Sequence, residues 1–271
     1  MLTISNQDTQ IQIAPERGAI VTSLKVHGHE LLFLNQATFD DPRANVRGGI
    51  PVLFPICGPL AGPDDAWAGQ RFAMKQHGFA RNLAWPLVEH SPDKLALELV
   101  DSPETRAQYP FAFRYRLTFR ALPDGLAIDQ EVENRGAETM PFQLGFHPYF
   151  LASDKPALGW RLPVSDYQDH KSEAGGPFHG FDFAADEIDW AFPEPITRKA
   201  SFVDPGRGLE VSLTYEEPYR MLVFWTLKDQ PFVCLEPWTS GRLAFPGGPV
   251  ERLAPGGRLE TGVTVTASAL G

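Results

Sequence analysis

The chain has 271 residues, 43% of them hydrophobic and 21% charged, with a formal net charge of -10; this balance predicts a soluble globular protein folded as one domain over 1–271. The negative charge and the scattering of basic residues oppose a phosphate backbone, so nucleic acid is not an expected partner. No apolar run reaches the roughly 18 residues of a membrane span, so no membrane partner is expected. The opening "MLTISNQDTQ" lacks the positive start and apolar block of a secretory signal, which makes the cytoplasm the expected compartment. Cys57 and Cys234 have no C-x-x-C spacing and predict neither a zinc knuckle nor a disulfide framework, only two reduced, buried thiols.

The 24 glycines and 25 prolines leave little room for long helices. In chain order, "HGH" (27–29) could offer two imidazoles from one strand face, but its flanks favour an exposed turn over a metal site. Residues 36–80 are rich in Gly, Pro, Asp and aromatics and predict a long loop laid over a sheet. "FRYRLTFR" (113–120) alternates with period two, with Phe113, Tyr115, Leu117 and Phe119 on one face. A turn at Pro123 to Gly125 leads into "LAIDQEVEN", which completes an antiparallel hairpin. Residues 151–206 predict a second long loop. "LEVSLTY" (209–215) and "RLETGVTVTA" (258–267) alternate again, while "MLVFWTL" (221–227) and "FVCLEPW" (232–238) predict strands buried on both faces. The fold class is therefore all-β, a large antiparallel β-sandwich, and its long loops predict a functional surface.

Four stretches set polar residues among aromatics, Gly and Pro: "RGGIPVLFPICG" (47–58), "QHGFAR" (76–81), "GFHPYF" (145–150) and "CLEPWTSG" (234–241). Sugar sites have this composition, because rings stack on the apolar sugar face while hydroxyls need fixed donors and acceptors. His147 alone reads as a core histidine bonded to a carbonyl, and Glu236 alone as half of an ion pair with an arginine. Together, an imidazole and a carboxyl group that have both lost hydration form a candidate acid–base pair. Nucleophilic catalysis has no G-x-S-x-G and no cysteine beside a histidine. His77 and Arg81 flank "GFA", and Arg47 precedes Gly48 and Gly49; all three read either as site walls or as loop anchors.

These four stretches, in this order and with a late "LAPGG", resemble the aldose 1-epimerase (galactose mutarotase-like) family, and within it the bacterial branch related to hexose-6-phosphate mutarotases. The resemblance spans most of the chain. It implies a β-supersandwich that interconverts the α and β anomers of a sugar or sugar phosphate without a cofactor or metal. It further implies His147 as the general acid at the ring oxygen, Glu236 as the general base at the anomeric hydroxyl, and His77 as a second histidine at the ring oxygen. Arg47 and Arg81 match arginines of the sugar-phosphate branch, and Asp182 in "FDF" is the expected sugar-binding aspartate. The two carriers are expected to face each other across a pocket one pyranose ring wide. A carbohydrate-binding module that kept the site without turnover is the other reading.

Overall fold

The computed structural model describes residues 1–60, 66–67 and 70–270. Two eight-stranded sheets dominate. The first runs, in spatial order, 159–161, 199–204, 209–215, 258–269, 125–134, 113–122, 94–100 and 87–90. The second runs 175–177, 166–169, 187–193, 221–227, 232–238, 145–146 and 52–53, with 149–151 also paired to 232–238. A four-stranded sheet of 2–6, 9–14, 20–26 and 29–30 lies at the N-terminal end of the chain. The named strand pairs of the two large sheets are antiparallel. Among the described residues no helix is long and apolar enough to cross a membrane.

The alternating segments form strands because their apolar period of two matches the pleat. Phe113, Tyr115, Leu117 and Phe119 are buried while the residues between them are more exposed, and Leu122 pairs with Gly125 across the expected turn. On the outer face, Arg114 lies between Glu98, Glu131 and Glu133, two of them on the partner strand. The two large sheets pack face to face. Phe150 meets Phe202 at 5.8 Å, Phe224 meets Trp160 at 5.3 Å and Phe54 meets Tyr115 at 4.9 Å between ring centroids.

Two expectations are corrected. Residues 151–206 do not form one long loop, because they carry the strands Gly159–Arg161, Asp166–Asp169, Gly175–Pro177, Glu187–Pro193 and Lys199–Asp204. Short strands near sheet edges, interrupted by Pro and Gly, leave too few alternating residues in any window to stand out. Nor is "MLVFWTL" buried on both faces: Leu222 and Phe224 enter the core, whereas Met221, Trp225 and Leu227 on the other face are only half-buried. That second face forms part of the site. The 36–80 region fits its expectation better, with a five-residue helix and the two-residue strands Val52–Leu53, Ala66–Trp67 and Gln70–Arg71 in otherwise irregular chain; residues 61–65 and 68–69 lie outside the described residues.

The irregular segments are pinned rather than loose. Phe79 and Ala80 both donate to the Phe54 carbonyl, at 3.1 and 3.2 Å. The buried Gln143, just before the 145–150 stretch, accepts from the Cys57 backbone N–H at 3.0 Å and donates to Ser240 Oγ at 2.7 Å, joining two of the motif-bearing segments. Gly78 has φ +69°, and a Cβ there would stand 2.2 Å from the Phe54 carbonyl oxygen. Only glycine fits both demands. Gly78→Ala is expected to destabilise the fold by more than about 1 kcal/mol in urea unfolding; an unchanged midpoint would contradict this account of the 76–81 turn.

Candidate active site

The second sheet's outer face carries the candidate site. Along 232–238, Phe232, Cys234, Glu236 and Trp238 alternate with Val233 and Leu235 of the core, and the whole strand is buried. Gly145 pairs with Trp238, and Tyr149 with Cys234, across this strand. The same register sets His147, midway between those partners, opposite Glu236, and directly opposed cross-strand side chains touch. His147 Nε2 lies 3.2 Å from Glu236 Oε1. The His147 ring stacks on Tyr149 with centroids 4.7 Å apart and meets Trp225 edge-on at 5.7 Å.

His77 reaches the same place from the 76–81 turn. Its N–H donates to the Gly58 carbonyl at 2.8 Å, and its Nδ1 accepts from the Gly58 N–H at 3.0 Å. With Nδ1 an acceptor, the neutral ring carries its proton on Nε2. Its centroid stands 5.9 Å from that of His147. Arg81 donates to the Gln76 carbonyl at 2.8 Å while its buried Nε has no partner. Arg47 lies over the Trp225 ring, Cζ 5.5 Å from the centroid. Together these residues line a cleft of about 320 Å³, within the size range of small-molecule sites.

Five of the six expected site residues thus meet: His147, Glu236, His77, Arg47 and Arg81 share one cleft, and Asp182 does not. Asp182 is exposed and belongs to a separate apolar depression with Trp160, Phe181 and Phe183. Two further carboxylates do enter the cleft, Glu187 and Asp189; Asp189 pairs in register with Trp225 and bonds His170 Nδ1 at 2.8 Å. Sequence reasoning missed Asp189 because it sat inside the supposed loop, although "EIDWAF" alternates polar and apolar residues. It also missed Tyr149, Trp225 and Trp238 as cleft walls, hidden within apolar runs. The "HGH" segment is an exposed turn. Cys57 and Cys234 are free and buried.

The expected spacing of the central pair needs a second correction. His147 and Glu236 do not bracket a ring-wide gap; they lie side by side at the cleft floor, because neighbouring strands hold opposed residues in contact. Burial, then the charges of Arg81 and Arg47, push the His147 imidazole down to about 3. Burial, then the nearby Asp189 charge, push the Glu236 carboxyl well above the usual carboxylate range. Burial and Arg81 hold His77 well below the ordinary imidazole value. Burial also lowers Arg81 to about 10. Both shifts favour the neutral form of the pair, with the imidazole unprotonated and the proton on the carboxyl. His147, Cys234 and Glu236 additionally bring one ligand atom each within 4.8 Å of one another.

The aldose 1-epimerase family model matches residues 1–268. A protein of Cenchrus ciliaris named "Putative glucose-6-phosphate 1-epimerase" is 29% identical over 249 residues, covering 81% of this chain and 72% of that protein. A protein of Escherichia coli K12 with the same name is 33% identical over 143 residues, 51% of this chain and 44% of its own length. The crystal structure of Slr1438 from Synechocystis sp. PCC 6803 superposes with a TM-score of 0.95 at 33% identity, covering 99% of this chain and 95% of that one. The chain belongs to the aldose 1-epimerase family.

Because His147 is lower in the folded state than the usual imidazole value of about 6.5, the unfolded chain binds more protons there between the two values. Its contribution to stability is present above about pH 6.5 and fades as pH falls toward 3. The stability gap between the parent and His147→Gln should accordingly move against the parent between pH 7 and pH 5. A gap independent of pH in urea titrations would contradict the assigned shift.

Proposed function

We propose that this protein is a mutarotase that interconverts the α and β anomers of a hexose, with a hexose phosphate as the preferred substrate. The observation that carries this reading is the 3.2 Å approach of His147 Nε2 to Glu236 Oε1 on the cleft floor. Opening a pyranose removes the proton of the anomeric hydroxyl, breaks the bond between C1 and the ring oxygen, and delivers a proton to that oxygen. Both oxygens sit on one carbon, so adjacent carriers suit them. His147 gives its proton to the ring oxygen as Glu236 takes the hydroxyl proton. After rotation about C1–C2 the two transfers reverse and close the ring on the other carbonyl face. The pair begins and ends with one proton.

His77, with its proton on Nε2, and the Asp189–His170 pair supply fixed polar groups around the ring, while Trp225 and Trp238 supply apolar surface. Arg47 and Arg81 give the phosphate reading its physical basis. Both guanidinium groups line the cleft, and two such groups in one cleft suit an anion. Their charges also contribute to holding His147 low. A phosphate between them cancels that effect and shifts the shared proton toward His147, the form that opens a ring. The names of the plant and Escherichia coli relatives agree with this choice.

Exchange NMR of glucose, galactose and glucose 6-phosphate anomers tests the proposal. His147→Ala and Glu236→Gln are each expected to slow exchange by about 10²- to 10⁴-fold with the fold retained. Arg47→Gln or Arg81→Gln should cost about 10- to 100-fold with the phosphorylated sugar and much less with the free one, the range for a charge-assisted hydrogen bond. Exchange no faster than in buffer for every sugar would reject the enzyme and leave a carbohydrate-binding protein.

A further inference from the structure

Beside the His147–Glu236 pair stands a buried side chain that the proton chemistry leaves unused. Cys234 lies two positions before Glu236 on the same strand, so both project to the same face. Its partner in register is Tyr149, two positions after His147. The result is a nitrogen, a sulfur and an oxygen from His147, Cys234 and Glu236, all within 4.8 Å of one another and all on buried residues. Glu236 Oε2 and His147 Nδ1 have no hydrogen-bond partner there. Buried polar atoms are rarely left so.

We propose that His147, Cys234 and Glu236 form a binding site for a soft divalent cation of the zinc class, and that an ion seated there blocks the proton-carrying pair. The binding half stands on geometry alone; the blocking half rests on the acid–base reading above. An ion of this class bonds sulfur at about 2.3 Å and nitrogen or oxygen at about 2.0–2.2 Å. Ligand atoms around one such ion therefore stand roughly 3–4 Å apart, and the observed set closes to that size with small side-chain movements. Three protein ligands leave a fourth position, open to the cleft that His147 and Glu236 line, for water or a sugar hydroxyl.

Charge balance favours an ion of this valence. Binding removes a proton from the Cys234 thiol and the proton held on Glu236, and the two negative charges cancel the 2+ of the ion in a buried setting. Cys57 serves as the internal control. It is buried and free as well, yet it packs with Leu53 and Trp238 and is not one of the three clustered ligands.

The test is a Co²⁺ titration of the full-length, tag-free protein, read by thiolate-to-cobalt charge-transfer absorption and followed by Zn²⁺ displacement. A band saturating at about one cobalt per chain, with about two protons released on Zn²⁺ addition, is expected. Cys57→Ser should keep the band. Cys234→Ser should abolish it and weaken Zn²⁺ binding by at least about 10- to 100-fold, while keeping its metal-free anomer exchange and losing the inhibition by Zn²⁺ that the parent shows. Absence of the band, its survival in Cys234→Ser, or Zn²⁺ binding without proton release would overturn the site; the proton count on the parent decides if Cys234→Ser fails to fold. A band in a protein that exchanges no anomers would keep the metal site and remove only the acid–base reading.

Discussion

The approach of the His147 imidazole to the Glu236 carboxyl, on neighbouring antiparallel strands and away from bulk water, is the contact on which the rest of the site depends. Either group alone in such a place would be costly: a buried unpaired charge must neutralise or find a partner. Together they resolve the cost by holding one proton between them. The same burial that lowers the imidazole raises the carboxyl, so one structural cause produces both halves of an acid–base system. The arginine charges add to burial in lowering the imidazole; on the proposed function, this links recognition of an anion to readiness for proton transfer.

The fold serves this contact through register. Strand pairing of 145–146 and 149–151 with 232–238 fixes which side chains oppose one another, and a one-residue slip would send Glu236 into the core face. The core beneath is packed with aromatic rings from both large sheets, so the floor of the cleft is also the top of a rigid layer. The flanking loops are clamped onto it. Gly58 and His77 exchange two hydrogen bonds, and Gln143 ties the segments before and after. Polar cleft residues thus sit on strands or on loops fixed to strands, a placement suited to holding reacting atoms within hydrogen-bond reach.

Much of this was legible in the amino-acid order, for particular reasons. The hairpin of 113–134 declared itself through an unbroken period of two and a Pro-Asp-Gly turn. His147 and Glu236 stood out because each is a titratable residue in an apolar stretch, and such residues rarely lack a partner. The walls of the cleft were harder to see, since Trp225 and Trp238 lie in runs that read as plain core, and a strand facing a cleft looks apolar on both sides. Asp189 was lost because its seven-residue strand, paired on both sides within the sheet, is embedded in a Pro- and Gly-rich stretch that reads as loop, and Asp182 was favoured in its place by a local likeness that carried no information about facing. Register is a long-range property; it decides that His147 opposes Glu236, and no window of the sequence contains both.

The central claim is that one proton is shared by a low imidazole and a raised carboxyl group. Its most direct measurement is an NMR titration of the His147 ring nitrogens and the Glu236 side-chain carbon in isotope-labelled protein. The account predicts a neutral His147 throughout the range in which free histidines titrate, and a Glu236 carboxyl still protonated above the usual carboxylate range. It also predicts a shift of the proton toward His147 when glucose 6-phosphate binds. An imidazole titrating near 6.5 beside a carboxyl titrating near 4.3, the ordinary values to within about one unit, would contradict it.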